Sequence, residues 1–303
     1  MKLGYYPGCS LTGSAREYGE SLTAVTGVLG IELSEVPDWN CCGATAAHAL
    51  THALALALPA RVLALAEQAG LDELLVPCSA CYARLSATQR ELLADENLRT
   101  RIEEIIELPW TGRTQVLTVL QVLSRFLTNG IKEKVTHPIG HKVACYYGCY
   151  LTRPTKSSSC ARHEDPQEMD DLVRSVGAEP IDWAFKVECC GAGLSVSRTS
   201  SVAELSGRII EDAVNRGAEA IVVACPMCHS NFDLRRAAIE RHRGAHYEIP
   251  VLYITELIGM AMGIDREPLG ISRHFVPLRW GERDMDSVEA VGVGAAPSAA
   301  GRH

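Results

Sequence analysis

The sequence lacks the features that mark a nucleic-acid-binding or membrane-spanning protein. Asp and Glu outnumber Lys and Arg by 37 to 29, so the formal net charge is -8. This charge disfavours nucleic acid or an anionic membrane surface as the main partner. The most apolar stretch, ALTHALALALPARVLALA (49–66), is interrupted by His52, Pro59 and Arg61. It falls short of the roughly 18 uninterrupted apolar residues of a spanning helix, and no membrane span is expected.

Several cofactor and targeting motifs are also missing. There is no ferredoxin-type C-x2-C-x2-C-x3-C run and no G-x-G-x-x-G loop after a strand. We therefore expect neither relay cubane clusters nor a flavin or nicotinamide site in this chain. Any electrons must then come from, or go to, a partner. The first residues, MKLGYYPGCS, contain no basic region followed by an apolar stretch, so we expect a cytoplasmic protein.

Cysteine is present but is too dilute for a disulfide-stapled scaffold. The chain has 12 cysteines in 303 residues, and in a reducing compartment clustered cysteines more often indicate metal or redox chemistry. Their arrangement follows an internal repeat. GYYPGCSLTG (4–13) matches CYYGCYLTRP (145–154), DWNCCGA matches DWAFKVECCGA, and LLVPCSACYARL (74–85) matches VVACPMCHSNFDL (222–234). Three matched blocks in the same order indicate a duplication.

The duplication predicts two domains, over residues 1–138 and 139–275, followed by an extension over 276–303. That extension ends in small, low-complexity sequence, and we expect part of it to be disordered. Each half contains five cysteines in equivalent places, which we call the first and second quintets. The first quintet is Cys9, Cys41, Cys42, Cys78 and Cys81, and the second is Cys149, Cys189, Cys190, Cys225 and Cys228. Outside them, Cys145 is predicted to pack within a strand and Cys160 to lie in an exposed loop.

The pattern around the cysteines predicts an α/β fold. KLGYYPGC, DELLVPC and EAIVVAC are short apolar runs ending at a cysteine, which is typical of buried strands. Helical patterns follow them, with Gly70 and Gly217 as helix stops. Alternating strands and helices predict a mainly parallel sheet in each domain, with the cysteines gathered at the carboxyl ends of the strands.

Five thiolates exceed the needs of a simple metal site. Structural zinc and a cubane iron-sulfur cluster each take four ligands. Two adjacent cysteines in an extended loop point in different directions, so Cys41 and Cys42 reach two metal atoms more readily than one. The spacing therefore favours a larger or more open cluster than a cubane. A zinc-bound scaffold that uses four cysteines of each half remains an alternative.

The two quintets resemble those of a known family, the B subunit of heterodisulfide reductase and its bacterial relatives. The matching motifs are Cys9, Cys41-Cys42-Gly43 and Cys78-Ser-Ala-Cys81, then Cys149, Cys189-Cys190-Gly191 and Cys225-Pro-Met-Cys228, within residues 1–265. The resemblance implies one noncubane 4Fe-4S cluster per quintet, with both clusters facing the substrate disulfide. It also implies two partners. One is a ferredoxin protein similar to the family's C subunit, with cubane 4Fe-4S clusters, and the other is the flavoprotein that forms its A subunit.

The leading hypothesis is therefore a catalytic subunit that cleaves or forms a disulfide, or processes protein-bound sulfur, by paired one-electron steps. Gly43 and Gly191 are predicted to let the backbone approach the cluster. His229, which follows the last cysteine, is a candidate proton donor. Six lysines against 23 arginines favour a bacterial relative over the methanogen enzyme. The alternative from another class is a nonenzymatic electron-transfer subunit.

Overall fold

Four parallel strands form the sheet of the first half. The computed structural model describes residues 1–44, 47–154, 160 and 162–281. The strands are β1 (Lys2–Tyr5), β2 (Glu32–Glu35), β3 (Glu73–Leu75) and β4 (Gln115–Leu117), in the order β2-β1-β3-β4. Its helices are α1 (Gly8–Thr12), α2 (Arg16–Val28), α3 (Ala47–Leu50), α4 (His52–Gln68), α5 (Ser79–Ala94), α6 (Glu96–Ile106) and α7 (Val119–Ser124). A short π-helical turn (Leu127–Ile131) and a 3-10 turn (Lys132–Lys134) lead to the second half.

The second half repeats this arrangement. Its strands are β5 (Lys142–Tyr146), β6 (Glu179–Pro180), β7 (Ala220–Val223) and β8 (Val251–Tyr253), in the equivalent order β6-β5-β7-β8, again parallel. Its helices are α8 (Cys149–Thr152), α9 (Glu168–Ser175), α10 (Thr199–Asn215), α11 (Pro226–Phe232), α12 (Arg236–Arg243) and α13 (Ile254–Ala261). Three 3-10 turns cover Ala184–Val187, Ala192–Leu194 and Ile271–Arg273. The predicted α/β fold with two duplicated parallel sheets is confirmed.

Local sequence signals explain where the helices begin and end. Gly70 and Gly217, the predicted stops, have φ of +69° and +77°, a backbone region that glycine adopts without strain. The apolar stretch after Gly43 forms two helices rather than one, since α3 ends at Leu50 and α4 begins at His52. The Thr51 side chain accepts a hydrogen bond from Leu54 N at 3.2 Å and caps the start of α4.

The two halves share one hydrophobic core and exchange helix contacts. Helix α2 of the first half packs against α13 of the second, and α9 of the second packs against α7 of the first. The Tyr18 and Tyr253 rings stack at 4.1 Å between the halves. Ser21 Oγ and Thr255 Oγ1 lie 2.7 Å apart beside them. Helices α2 and α9 occupy equivalent places in the two halves, as do α7 and α13, so each half contributes the same pair of helices to the interface. Equivalent strand ends of the two halves therefore lie near each other.

The segment after the 3-10 turn at Ile271–Arg273 packs onto the second half. Leu278 is 3% exposed, and Val276 N donates a hydrogen bond to Asp233 Oδ1 at 3.0 Å. Residues 282–303, which form most of the predicted extension, lie outside the described residues. Within the described part of the chain, no helix combines the length and the apolar character needed to cross a membrane.

Candidate metal centres

The quintets lie at the carboxyl edges of the two sheets. In the first half, β1 leads to Cys9 on α1, β2 leads to the Cys41–Cys42 loop, and β3 leads to Cys78 and Cys81 at the start of α5. The second half delivers its five cysteines from β5, β6 and β7 in the same way. Parallel strands place the loops after their carboxyl ends at one edge, which explains how distant cysteines come together.

In the first quintet the thiols are close but not bonded. Cys42 Sγ and Cys81 Sγ lie 3.1 Å apart, whereas a disulfide requires about 2.05 Å. None of the 12 cysteines, all of which lie among the described residues, forms a disulfide. Cys42, Cys78 and Cys81 are buried, while Cys9 and Cys41 are exposed. The first site therefore combines a buried set of thiols with an accessible side.

The second quintet encloses a cavity. Cys149 Sγ lies 3.8 Å from Cys189 Sγ, and Cys190 Sγ lies 3.5 Å from Cys228 Sγ. A cavity of about 270 Å³ is lined by all five cysteines of this quintet. The structure thus provides an open space bounded by the five predicted ligands of one site.

The two quintets meet at the interface between the halves. Ser79, which follows Cys78, donates its hydroxyl to the backbone oxygen of Ala224, which precedes Cys225, at 3.3 Å across the interface. The thiols of Cys78 and Cys225 are close enough for each to shift the pKa of the other. The two sites are therefore neighbours.

Gly43 and Gly191 hold the Cys-Cys loops in equivalent conformations. Their φ angles are +72° and +81°, a region that strains other residues. Gly43 N donates to Cys41 Sγ at 3.4 Å, and Gly191 N donates to Cys189 Sγ at 3.3 Å. A Cβ atom on Gly43 would lie 2.7 Å from Ala47 Cβ. Both glycines thus bring backbone N–H groups to sulfur in a place that has little room for a side chain.

A second glycine pair was not predicted from the sequence. Gly8 and Gly148 precede the first cysteine of each quintet and have φ of +65° and +70°. A Cβ on Gly8 would lie 3.4 Å from Cys81 Sγ, and one on Gly148 would lie 3.3 Å from Cys228 Sγ. The recurrence of glycine before cysteine in the first matched block was the available signal.

A tyrosine in each half anchors the Cys-Cys loop. Tyr6 OH donates to Asn40 O at 2.8 Å, and Tyr146 OH donates to Glu188 O at 2.7 Å. Each carbonyl belongs to the residue just before the cysteine pair. The repeated tryptophan packs beside this tyrosine, with Trp39 5.5 Å from Tyr6 between ring centroids. These tyrosines were also not predicted, although they occupy equivalent places in the first matched block.

The position three residues after the last cysteine differs between the halves. In the first half it is Arg84, whose charge helps to lower the pKa of Cys42. In the second half it is Asn231, whose Nδ2 lies 3.5 Å from Cys190 Sγ and 3.1 Å from Cys190 O. This position therefore carries a cation in the first half and a neutral amide in the second.

Hydrogen bonds among the thiols favour a thiolate in each loop. The bond from Cys41, followed by the bond with Cys81, lowers the pKa of Cys42 to about 3. The bond from Cys149 lowers the pKa of Cys189 to about 6. Thiolates are the form of cysteine that binds metals.

His229 occupies a packed position. It is 4% exposed, its Nε2 lies 3.1 Å from Val251 O, and its ring stacks on Tyr253 at 4.3 Å. Burial, followed by the charge of His274, lowers its pKa well below the usual range and favours the neutral ring. Its proton-donor role finds no supporting contact with a quintet thiol among the described residues and remains a prediction.

The two cysteines outside the quintets differ in their surroundings. Cys145 is fully buried within β5, where burial raises the pKa of its thiol. Cys160 is partly exposed, and its Sγ lies 3.3 Å from Arg162 O. The structure places Cys145 in the core, as the sequence predicts, and shows Cys160 less exposed than predicted.

The arrangement fits a multi-metal cluster better than a single ion. Among the described residues, no three His, Cys, Asp or Glu side chains have a geometry that would hold one metal ion. A structural zinc ion requires four ligands converging on one point. Five thiols around a cavity, with glycine N–H groups directed at sulfur, instead suit a larger inorganic core.

Comparisons with known proteins agree with this geometry. The model of the cysteine-rich CCG domain matches residues 3–86 and 143–233. The B subunit of the ferredoxin:CoB-CoM heterodisulfide reductase of Methanosarcina mazei is 32% identical over 82% of this chain and 85% of its own length. The 8-methylmenaquinol:fumarate reductase membrane anchor subunit of Wolinella succinogenes is 31% identical over 90% of this chain and 96% of its own.

One solved structure shares the fold. It is a hypothetical protein from Helicobacter pylori, with a TM-score of 0.76 and 13% identity. The match covers 91% of this chain and 52% of that protein, so this chain spans about half of its length. At this identity the likeness concerns the fold alone.

Proposed function

The chain belongs to the family of heterodisulfide reductase B subunits, and from that premise we propose that it is the catalytic subunit of a disulfide-reducing complex. Membership makes it an iron-sulfur redox subunit with two cysteine-rich domains. We further propose one noncubane 4Fe-4S cluster in each quintet, ten cysteine ligands in total, and a sulfur compound as substrate. The domain limits of 1–138 and 139–275 are part of this proposal.

The observation that carries the proposal is the contact between the quintets. Ser79, beside Cys78, donates its hydroxyl to Ala224 O, beside Cys225, and both cysteines belong to predicted cluster sites. Reduction of a disulfide takes two electrons, whereas an iron-sulfur cluster normally transfers one. Two adjacent one-electron sites at a shared interface are suited to a two-electron substrate.

The reaction is RSSR′ + 2e⁻ + 2H⁺ → RSH + R′SH, in which the S–S bond breaks and each sulfur gains one electron and one proton. When bound, each cluster would supply one electron and an iron site open to sulfur. The chain's own residues hold the thiolates in position. Gly43 and Gly191 direct N–H groups at Cys41 and Cys189, and the tyrosines fix the loops that carry them.

The electrons need a partner, because the sequence carries no relay cluster or flavin motif. We propose a ferredoxin protein with cubane 4Fe-4S clusters, similar to the family's C subunit, as the direct donor, served by the flavoprotein of the A-subunit type. The relatives named as B subunits of heterodisulfide reductases support an assembly with other proteins. We propose a cytoplasmic location, which the set of free cysteines supports.

A second candidate function is electron transfer without sulfur chemistry. The relative from Wolinella succinogenes is named as the membrane anchor of a fumarate reductase, and its match covers nearly the whole of both chains. In this alternative the two clusters would only relay electrons, and no disulfide would enter the space between them.

Cleavage of a small disulfide separates the two functions. The iron-loaded protein would be reduced anaerobically, and release of thiol from lipoamide would be measured. The catalytic proposal predicts two thiols per two electrons, abolished by Cys190→Ser. The matched control is Cys160→Ser, which changes a cysteine outside both quintets and is expected to leave cleavage intact. Full iron content and normal reduction without any thiol release would instead support the relay.

A further inference from the structure

Two large apolar side chains lie exposed beside each other on the surface of the second half. Leu234, two residues after α11, is 49% exposed, and Phe275, two residues after the last 3-10 turn, is 67% exposed. Both line two adjoining surface hollows of about 200 and 300 Å³, so they form a ridge between the hollows. We call Leu234 and Phe275 the apolar ridge. Adjacent exposed apolar side chains rimmed by polar groups are typical of protein interaction sites.

The smaller hollow is separate from the cluster sites but close to them. None of the quintet cysteines, all of which are described, lines it. Its wall instead includes His229, the residue after Cys228, and Gly13, which follows the short helix α1 that carries Cys9. Leu234 is six residues beyond Cys228, or about 9 Å along a helix axis. A protein docked on the apolar ridge would therefore lie near a proposed ligand of each cluster.

The charges exposed at the smaller hollow are positive. Its exposed charged residues are Arg16 and Arg273, whereas its carboxylates, Glu17 and Asp233, are buried. The Asp233 carboxylate is directed at the backbone, where it accepts a hydrogen bond from Phe275 N at 2.8 Å. An approaching protein would therefore meet guanidinium groups before it meets a carboxylate.

Two arginines beside the ridge have no anionic partner. Arg16 is exposed, and Arg235, which follows Leu234, donates to the backbone oxygen of Ser195 at 2.9 Å. Neither forms an ion pair within the part of the chain that the structure describes. Arg273, by contrast, is paired with a glutamate of α2. Arg16 and Arg235 are therefore available to the acidic groups of another protein.

The larger hollow does not change this balance. Its exposed Arg279 is offset by the exposed Glu248, and its His246 is paired with Glu240 at 2.9 Å. The excess of available cations is therefore confined to the side of the ridge that faces the quintets. It stands out in a chain whose formal net charge is -8, and such a local excess attracts a partner of opposite charge.

We propose that the electron donor of this protein docks on the apolar ridge through an acidic face that carries an apolar side chain. This inference rests on the proposed function and specifies where its redox partner binds and by what chemistry. The apolar contact would supply most of the affinity, and the arginines would orient the acidic face toward the quintets.

Binding of a defined donor tests the surface. The probe is an acidic bacterial ferredoxin with two cubane 4Fe-4S clusters, and anaerobic calorimetry gives its dissociation constant from the iron-loaded protein. Phe275→Glu should raise this constant at least about tenfold, because the variant loses apolar contact and repels an acidic face. If Phe275→Glu fails to load iron, Leu234→Glu makes the same test from the other side chain of the ridge.

A matched control separates the surface from the added charge. Ile105 lies on α6 of the first half and is 50% exposed, so Ile105→Glu introduces the same charge away from the ridge. This variant should bind the ferredoxin as the wild type does. Equal binding by the wild type, the ridge variant and the control would overturn the inference, as would no binding by the wild type.

Substitutions at Arg16 test the sign of the charge. Arg16→Glu should weaken binding about fivefold, while Arg16→Lys, which keeps the cation, should preserve it. Added salt should weaken binding to the wild type, because salt screens the attraction between exposed charges. Equal affinities of the two Arg16 variants, or binding that strengthens with salt, would contradict an acidic partner face.

A photo-crosslinking group identifies the occupant of the ridge. With p-benzoylphenylalanine in place of Phe275, cross-links to the ferredoxin are expected. Cross-links only to a second copy of the chain, or only to residues 282–303, at saturating ferredoxin would overturn the proposal. Loss of ferredoxin binding in Phe275→Glu without lipoamide cleavage by the wild type would refute the catalytic proposal alone. Cleavage of lipoamide, with ferredoxin binding unaffected by Phe275→Glu, would refute this inference alone.

Discussion

Removing the hydroxyl of Tyr146 is expected to loosen the second Cys-Cys loop. Tyr146 is 1% exposed and its OH donates to Glu188 O at 2.7 Å, directly before the cysteine pair. Tyr146→Phe leaves this carbonyl without its donor inside the protein. The bond is part-buried, and the loss of a typical hydrogen bond costs about 0.5–1.5 kcal/mol. A central value of about 1 kcal/mol corresponds to roughly fivefold more frequent opening of the loop.

Hydrogen-deuterium exchange measures this opening directly, because local exchange reports the local free energy of opening. Peptides covering 186–194 are expected to exchange roughly fivefold faster in Tyr146→Phe, while peptides covering 38–44 keep their rate. Tyr6→Phe is expected to show the reverse pattern, because its OH donates to Asn40 O at 2.8 Å.

Tyr253→Phe provides the control. Tyr253 is fully buried, but its OH has no hydrogen-bond partner among the described residues. Its removal is therefore expected to leave exchange in both loops unchanged. The reasoning would be refuted if Tyr146→Phe left peptide 186–194 unchanged, or if it accelerated both loops equally.

Three further predictions concern the separate sites and the interface. Cys42→Ser and Cys190→Ser should each remove about half of the iron, because each cysteine serves one site; loss of all iron from a folded variant would contradict two independent sites. Arg84→Gln should lower the reduction potential of the first cluster alone, since a cation beside a thiolate stabilises the more negative reduced state; a spectroscopic redox titration showing equal shifts of both clusters would argue against it. Burial lowers the pKa of His274, but the hydrogen bond with Glu256 at 2.9 Å and the charges of Glu256, Asp233 and Glu17 together outweigh burial and raise it. The stability that His274 contributes is therefore complete below about pH 6.5 and lost as pH rises through the raised folded-state value. His274→Gln should flatten the fall in the unfolding midpoint at alkaline pH, and an unchanged slope would show that another group is responsible.

The local and repeated features of the fold could be predicted from the sequence. Strand β7 and helix α10 follow short-range apolar patterns, and the quintets follow from cysteines that recur in matched blocks. The gathering of cysteines at one edge needed only the rule for parallel sheets. Gly43 and Gly191 were found because glycine after a cysteine pair recurs in both halves.

The remaining features depend on contacts between distant segments. The stacking of Tyr18 on Tyr253 and the proximity of Cys78 to Cys225 join residues from opposite halves, and no local pattern encodes them. His229 was expected near a thiol because it follows Cys228. In the helix its ring packs against Tyr253, a contact that the sequence does not show, and the proton-donor role remains a prediction.

The difference between the halves is equally long-range. The repeat aligns Arg84 with Asn231. Only the structure shows that the charge of Arg84 acts on Cys42 and that the Asn231 amide lies close to Cys190. The break between α3 and α4 was also missed, although Thr51 is a residue that commonly caps a helix.

The central claim is that each quintet holds its own noncubane 4Fe-4S cluster rather than a single metal ion. Iron and acid-labile sulfide would be quantified per chain in anaerobically purified protein, and Mössbauer spectra would be recorded for the wild type and Cys190→Ser. The account predicts about eight irons and about eight sulfides, with noncubane spectra and about half of the iron lost in the variant. Stoichiometric zinc without iron, or cubane spectra from both sites, would contradict it.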